Sequence, residues 1–190
     1  MKSKLIPILL GCAIASLAHA DFNPVALTPG SFTGDVIIEK SAGKLLNDYV
    51  TATMDGGTNN NGSTFTERGY FAQAWVGLPT AGSTFNSITD GANHQFKMPP
   101  SYTTNNAVLM TTNQGALYTN GNLTITTPVA LTSLSLLASA GGQHTVNYTI
   151  QYVGGGTQTG TQAINEWTQG TAIAWYAQGR VNLEIGRAHV

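Results

Sequence analysis

Residues 144–153 alternate strictly, with Val146, Tyr148, Ile150 and Tyr152 on one side and Thr145, Asn147, Thr149 and Gln151 on the other. A period of two belongs to a strand with one face covered and one wet, so this segment is the surest predicted strand. Residues 131–138 repeat the pattern, Leu134, Leu136 and Ala138 alternating with Ser133 and Ser135, and residues 123–126 do so more briefly. Further strands are predicted over 35–40, 49–54, 68–75, 94–98, 107–112, 157–164 and 172–176. A persuasive 3.6-residue period of helical length is missing, and a short helix over 42–48 is the one exception.

The segments between these runs are dense in turn formers: 55–63, Pro99-Pro100, Asn120-Gly121, Gly141-Gly142 and 154–156. Asn120-Gly121 predicts a two-residue type I′ hairpin between 116–119 and 122–127, because both residues tolerate positive φ. Short strands spaced about 8–12 residues apart predict an all-β fold, an antiparallel β-sandwich or barrel. The pattern contains no internal repeat and no interdomain linker, so a single domain is expected.

Both ends read differently from the middle. Lys2 and Lys4 precede an apolar stretch over 5–17, and Ala18-His19-Ala20 is a small-x-small site, the plan of a cleavable export signal over 1–20. The stretch is shorter than the roughly 20 apolar residues of a membrane span, and it passes into polar Asp21 and Asn23. Cys12 after Leu9-Leu10-Gly11 is somewhat similar to a lipoprotein acylation box, but Leu10 is unusual there and residues 13–18 stay apolar. The last six residues, Ile185-Gly186-Arg187-Ala188-His189-Val190, match an in-frame translation of a common sequencing adapter. Residues 184–190 are therefore expected to be a non-native tail, and the β domain over 21–183 to be incomplete at its C-terminus.

Charge narrows the function. Only 9% of the 190 residues are charged, and residues 21–183 hold eight acids against five bases, a formal charge of −3. A nucleic-acid partner is not expected, since that affinity comes mainly from Lys and Arg neutralising phosphates. At this length one core can bury about 68–70% of the unfolded chain's surface, so no metal or disulfide staple is required. The single cysteine, Cys12, lies in the export signal, so the mature chain would have no disulfide. Neutral Thr, Ser, Asn, Gln and Gly must then supply most of the solubility, and such groups suit contact with neutral polar ligands.

Several segments together resemble secreted bacterial β-sandwich proteins of the galactose-binding-like or jelly-roll type, which often carry a PEP-CTERM sorting signal. The resemblance rests on residues 34–39, 77–85, 98–102 with 105–110, and 145–153, and on Glu166-Trp167, Ala174-Trp175-Tyr176 and Gly179-Arg180-Val181. It implies an extracellular scaffold of this kind. None of these pieces is a catalytic signature, and the sorting signal's Pro-Glu-Pro motif, apolar span and basic tail do not occur in the chain. Fold analogy lends carbohydrate binding only slight support.

The chemistry-bearing residues favour contact over catalysis. The sequence has no Gly-x-Ser-x-Gly elbow, Walker loop, His-Glu-x-x-His, Cys-x-x-Cys or Gly-x-Gly-x-x-Gly. Only His94 and His144 could serve as neutral-pH bases between residues 21 and 183; His144 reads as exposed at a turn-to-strand junction, and His94 as a loop residue near Asp90. Asp35 and Glu39 would share one strand face, but read as surface acids rather than a glycosidase pair. The loop over 55–63 is rich in oxygen donors, and Asp55, Asn59 and Asn61 are candidate calcium ligands, although the spacing fails the EF-hand pattern. No other cofactor is expected.

Sugars dock their apolar faces on exposed aromatic rings, and Trp167, Tyr102 and Tyr118 are the candidate platforms. Trp75 and Trp175 read as core. The expectation is a secreted, non-catalytic module that binds polysaccharide or cell-surface glycan. A self-associating adhesin or surface protein, and the non-catalytic part of a secreted hydrolase, are the alternatives.

Overall fold

The computed structural model describes residues 22–39, 50–58, 62–67, 76–88, 94–111, 120–170, 173–177 and 181–182. Among them the regular structure is all β, apart from one 3₁₀ turn at Pro29–Ser31. The strands are β1 (Ser63–Thr64), β2 (Thr84–Asn86), β3 (Gln95–Lys97), β4 (His144–Gln151), β5 (Thr157–Ile164) and β6 (Val181–Asn182). They form three antiparallel pairs, β1 with β6, β2 with β3, and β4 with β5.

Isolated bridges outside these strands link further segments of chain, among them Gly34 to Ala107, Ile38 to Thr66 and Leu27 to Ile125. Residues 35–39 form no strand: they run between single bridges at Gly34 and Ile38 with a bend at Ile37, so the strand expected over 35–40 is not formed among the described residues. The predicted strands at 94–98, 144–153 and 157–164 are present as β3, β4 and β5. Residues 131–138 are not a strand, and Leu131, Leu134, Leu136 and Leu137 stand 42–57% exposed. Alternation fixes which side chains share a face; it does not supply the partner that makes a strand. Likewise 173–176 forms no strand, 107–111 and 122–127 make only single bridges, and 50–54 bridges only locally, Thr53 to Gly57. The predicted strands at 68–75 and 116–119 and the helix at 42–48 lie outside the described residues.

The core sits where the β2–β3 pair meets residues 36–38 and 98–106. Ile37, Phe85, Met98 and Tyr102 are buried together, with Phe65, Leu78, Phe96 and Trp175 packed on them. Phe85 meets the edge of Trp175 at 5.4 Å, a geometry that suits two aromatic quadrupoles, and Trp175 Nε1 donates to the Gly77 carbonyl at 2.9 Å. The expectation of a core Trp175 thus holds. A β-turn over residues 80–83 leads into β2, closed by Ser83 N–H on the Thr80 carbonyl at 2.9 Å. Its third residue, Gly82, has φ +74°, a value that glycine adopts without a Cβ penalty.

One side chain ties distant parts of this core. Asn106, 2% exposed, accepts the N–H groups of Val36 and Ile37 on Oδ1 at 3.0 and 3.1 Å. Its NH₂ group lies 2.5 Å from Asp35 Oδ1 and 3.3 Å from the Ile37 carbonyl. Seventy residues of sequence separate the two segments, and no strand ladder could satisfy these buried groups at that point.

Candidate functional site

Of the residues singled out for sugar contact, the two that are described, Tyr102 and Trp167, do not form an exposed surface. Tyr102 is 2% exposed and donates its hydroxyl to the Pro79 carbonyl at 2.6 Å, so its ring is core and is not available to a ligand. Burial also raises its phenol pKa, with the Glu67 charge adding to the rise. Trp167 is half-buried: its ring meets Phe65 edge-on at 4.9 Å and its Nε1 donates to Asp55 Oδ1 at 3.0 Å. Tyr118 lies outside the described residues.

That contact brings together two residues read as separate sites. Asp55 Oδ2 accepts the Ser63 N–H at 3.3 Å, so both carboxylate oxygens already have protein donors. Asn59 and Asn61 lie outside the described residues. Among the described residues, no three His, Cys, Asp or Glu side chains gather as metal ligands.

The remaining titratable groups are placed as follows. His94 is stacked on Phe22 at 3.8 Å and lies near-parallel to Phe96 at 6.3 Å, so it packs as an aromatic ring. His144 is exposed at the start of β4, as its turn-to-strand position predicts. Asp35 is not a surface acid, contrary to the sequence expectation, because residues 35–38 are inserted into the core. Burial pushes its carboxyl up to about 7; the Asn106 hydrogen bond opposes the rise and the Glu39 charge adds to it.

Tyr176 is exposed by itself, and the surface that presents two exposed aromatics on one strand is the β4–β5 hairpin. In its register Tyr148 faces Gly160 and Ile150 faces Gln158, and the next step of the alternation brings Tyr152 opposite Gly156, whose carbonyl accepts the Tyr152 N–H at 2.9 Å. A Cβ on Gly160 would sit 2.5 Å from Tyr148 Cζ, and one on Gly156 would sit 3.7 Å from Tyr152 Cδ2. The Tyr148 ring therefore leans over Gly160, the arrangement known as aromatic rescue, whereas Tyr152 meets Gly156 only through Cδ2. Tyr148 is 37% and Tyr152 52% exposed, and the two stand about 13 Å apart along one strand face. Gln158 and Gln162 of β5 share this face, and Tyr152 donates its hydroxyl to Gln158 Oε1 at 2.7 Å.

The alternation placed both tyrosines on one side of a strand, as observed, but neither was singled out for ligand contact. The signal that could have singled them out is the pair of glycines at matching register. The chain matches no family model, no curated protein and no solved structure.

Proposed function

We propose that this chain is an exported, non-catalytic β-sandwich module of jelly-roll or galactose-binding-like type, and that it binds polysaccharide along the tyrosine face of β4–β5. The observation that carries the reading is the pair of exposed tyrosines on one strand face, Tyr148 laid across Gly160 and Tyr152 bonded to Gln158, with Gln158 and Ile150 between them. A ring that lies along the sheet, as Tyr148 does, offers its π face to the apolar face of a sugar ring. Gln158, with its carbonyl oxygen engaged by Tyr152, turns amide hydrogens toward a ligand hydroxyl. The span between the tyrosines suits an extended oligosaccharide better than one ring, and the absence of formal charge on either strand suits a neutral one.

The reading is tested by affinity electrophoresis of the full chain through gels containing galactomannan, mixed-linkage β-glucan or xylan. Retardation by at least one of these polymers is expected. Tyr152→Ala should weaken it about tenfold, equivalent to about 1.4 kcal/mol, whereas Trp167→Phe should leave it unchanged. Migration unaffected by all three polymers, or retardation that survives both Tyr152→Ala and Gln158→Ala, would refute it.

A further inference from the structure

The hairpin that carries the tyrosines is also an uncapped sheet. The β4–β5 pair is two-stranded, and isolated two-stranded hairpins are marginal in water; stable sheets need three or more strands or a covering layer. Its base is held by the Ala140–Glu166 bridge and by Trp167 N–H on the Ala140 carbonyl. Beyond that base, no other strand among the described residues pairs with either edge.

The edges can be mapped atom by atom. Tyr152 and Gly156 are a hydrogen-bonded pair. Hydrogen-bonded and open positions alternate along an antiparallel ladder, so Thr157, Thr159, Thr161 and Ala163 aim their N–H and C=O groups away from β4. Natural edges are blunted by charge, especially Lys, by Pro or by bulges. This one has none of them: from residue 98 to residue 165 the chain contains no Asp, Glu, Lys or Arg. Nine of the thirteen exposed large hydrophobics among the described residues fall between Leu123 and Val153, in the same uncharged stretch.

We propose that β5 pairs antiparallel with β5 of a second copy, about a two-fold axis at Gly160, to make a four-stranded sheet in the order β4-β5-β5-β4. The axis places Thr159 opposite the other copy's Thr161, and Thr157 opposite its Ala163. Every outward-aimed N–H and C=O then meets its counterpart, and threonine pairs of this kind are favourable across strands. An edge without formal charge meets its own copy without like-charge repulsion, and the two-fold closes the assembly after one pairing. On the opposite face the two Gly160 residues adjoin, which brings the Tyr148 rings of both copies to the dyad. The β4 edge is the weaker candidate: a two-fold at Tyr148 sets that ring opposite its own copy, but it matches Asn147 with Thr149 and Thr145 with Gln151, pairs without the threonine-to-threonine match that β5 offers.

The test is light scattering on the full chain across a hundredfold range of concentration, with polysaccharide absent. The mass should rise to that of two chains and stop there. Thr161→Lys, which sets two ammonium groups beside the axis, should weaken the dimer at least tenfold. Thr161→Pro should do the same by removing an outward N–H that the hairpin itself does not use. Thr149→Lys, on the outer edge, should leave the dimer intact. Far-UV circular dichroism and tryptophan fluorescence of each variant must match the parent for its result to count as loss of association. A single-chain mass at every concentration, an open-ended ladder of sizes, a dimer that withstands both Thr161 variants in folded form, or equal sensitivity to Thr149→Lys would each overturn the proposal. Loss of the dimer with polysaccharide binding retained would leave the glycan reading standing on its own.

Discussion

Asp35 shows how one buried carboxyl can set the pH response of a chain this poor in charge. It is 9% exposed, shares the Asn106 amide with the backbone of residues 36 and 37, and sits at the joint between two distant segments. Its carboxyl is raised from 3.8 to about 7 in the fold, chiefly by burial. A raised acid binds its proton more tightly folded than unfolded, so the stability it contributes is complete below about pH 4 and is lost as pH rises toward 7. Thermal melts should therefore show Tm falling from pH 4 to pH 7 and levelling above it. Asp35→Asn keeps an acceptor for Asn106 and should flatten that slope. An unchanged slope in the variant would place the proton elsewhere. The strand expected over 35–40 gives way to a bend between single bridges, and the side-chain clamp that holds it there could not be read from the local sequence. A partner seventy positions away leaves no local signature.

The hairpin shows at the scale of an element what periodicity can and cannot reveal. Residues 144–151 and 157–164 were legible because alternation and the intervening glycines agree on two strands and a turn. Tyr152 accepts the Gly155 N–H on its carbonyl and donates to Gly156, which closes a three-residue loop with Gly155 at φ +89°. That is the pattern of a type I turn followed by a left-handed residue, and it fixes the register of everything behind it. Gly155→Ala should cost about 1 kcal/mol through φ alone, since nothing lies within 4 Å of the added Cβ. Chemical denaturation should show this as a lower midpoint with the same slope. Gly155→Asn, which tolerates positive φ better, should recover part of the loss. Residues 131–138 alternate as well and remain exposed without forming a strand, so the same pattern yielded two outcomes. The difference is partnership: β4 has a strand joined to it by a tight turn, whereas 131–138 must find one through non-local contacts. The same reason hid the tyrosine site, because a face is assigned to core or solvent only by what lies across it.

Across the whole molecule, stability should be divided unevenly. The amides of Ile38, Ala52, Met98 and Asn106 donate to the carbonyls of Phe65, Asp35, Ser83 and Gly34, and the donors Ile38, Ala52, Met98 and Asn106 are all 4% exposed or less. The β4–β5 hairpin keeps its ladder at the surface, with residues 157–159 and 161–163 exposed on both faces. Opening of a segment costs what its buried contacts supply, so exchange should be slowest in the first group and fast along β5. Dimerisation through β5 adds a second condition. Hydrogen-exchange mass spectrometry at dilution should find peptides over 34–38 and 96–107 protected by orders of magnitude more than those over 157–163. Raising the protein concentration should then slow exchange over 157–163 while leaving 34–38 unchanged. The β4 peptides should slow less, because their outward amides stay at the sheet's edge. Concentration-independent exchange in β5 would mean that its outward N–H groups meet water alone, and protection gained equally across the chain would point to general aggregation instead of one paired edge.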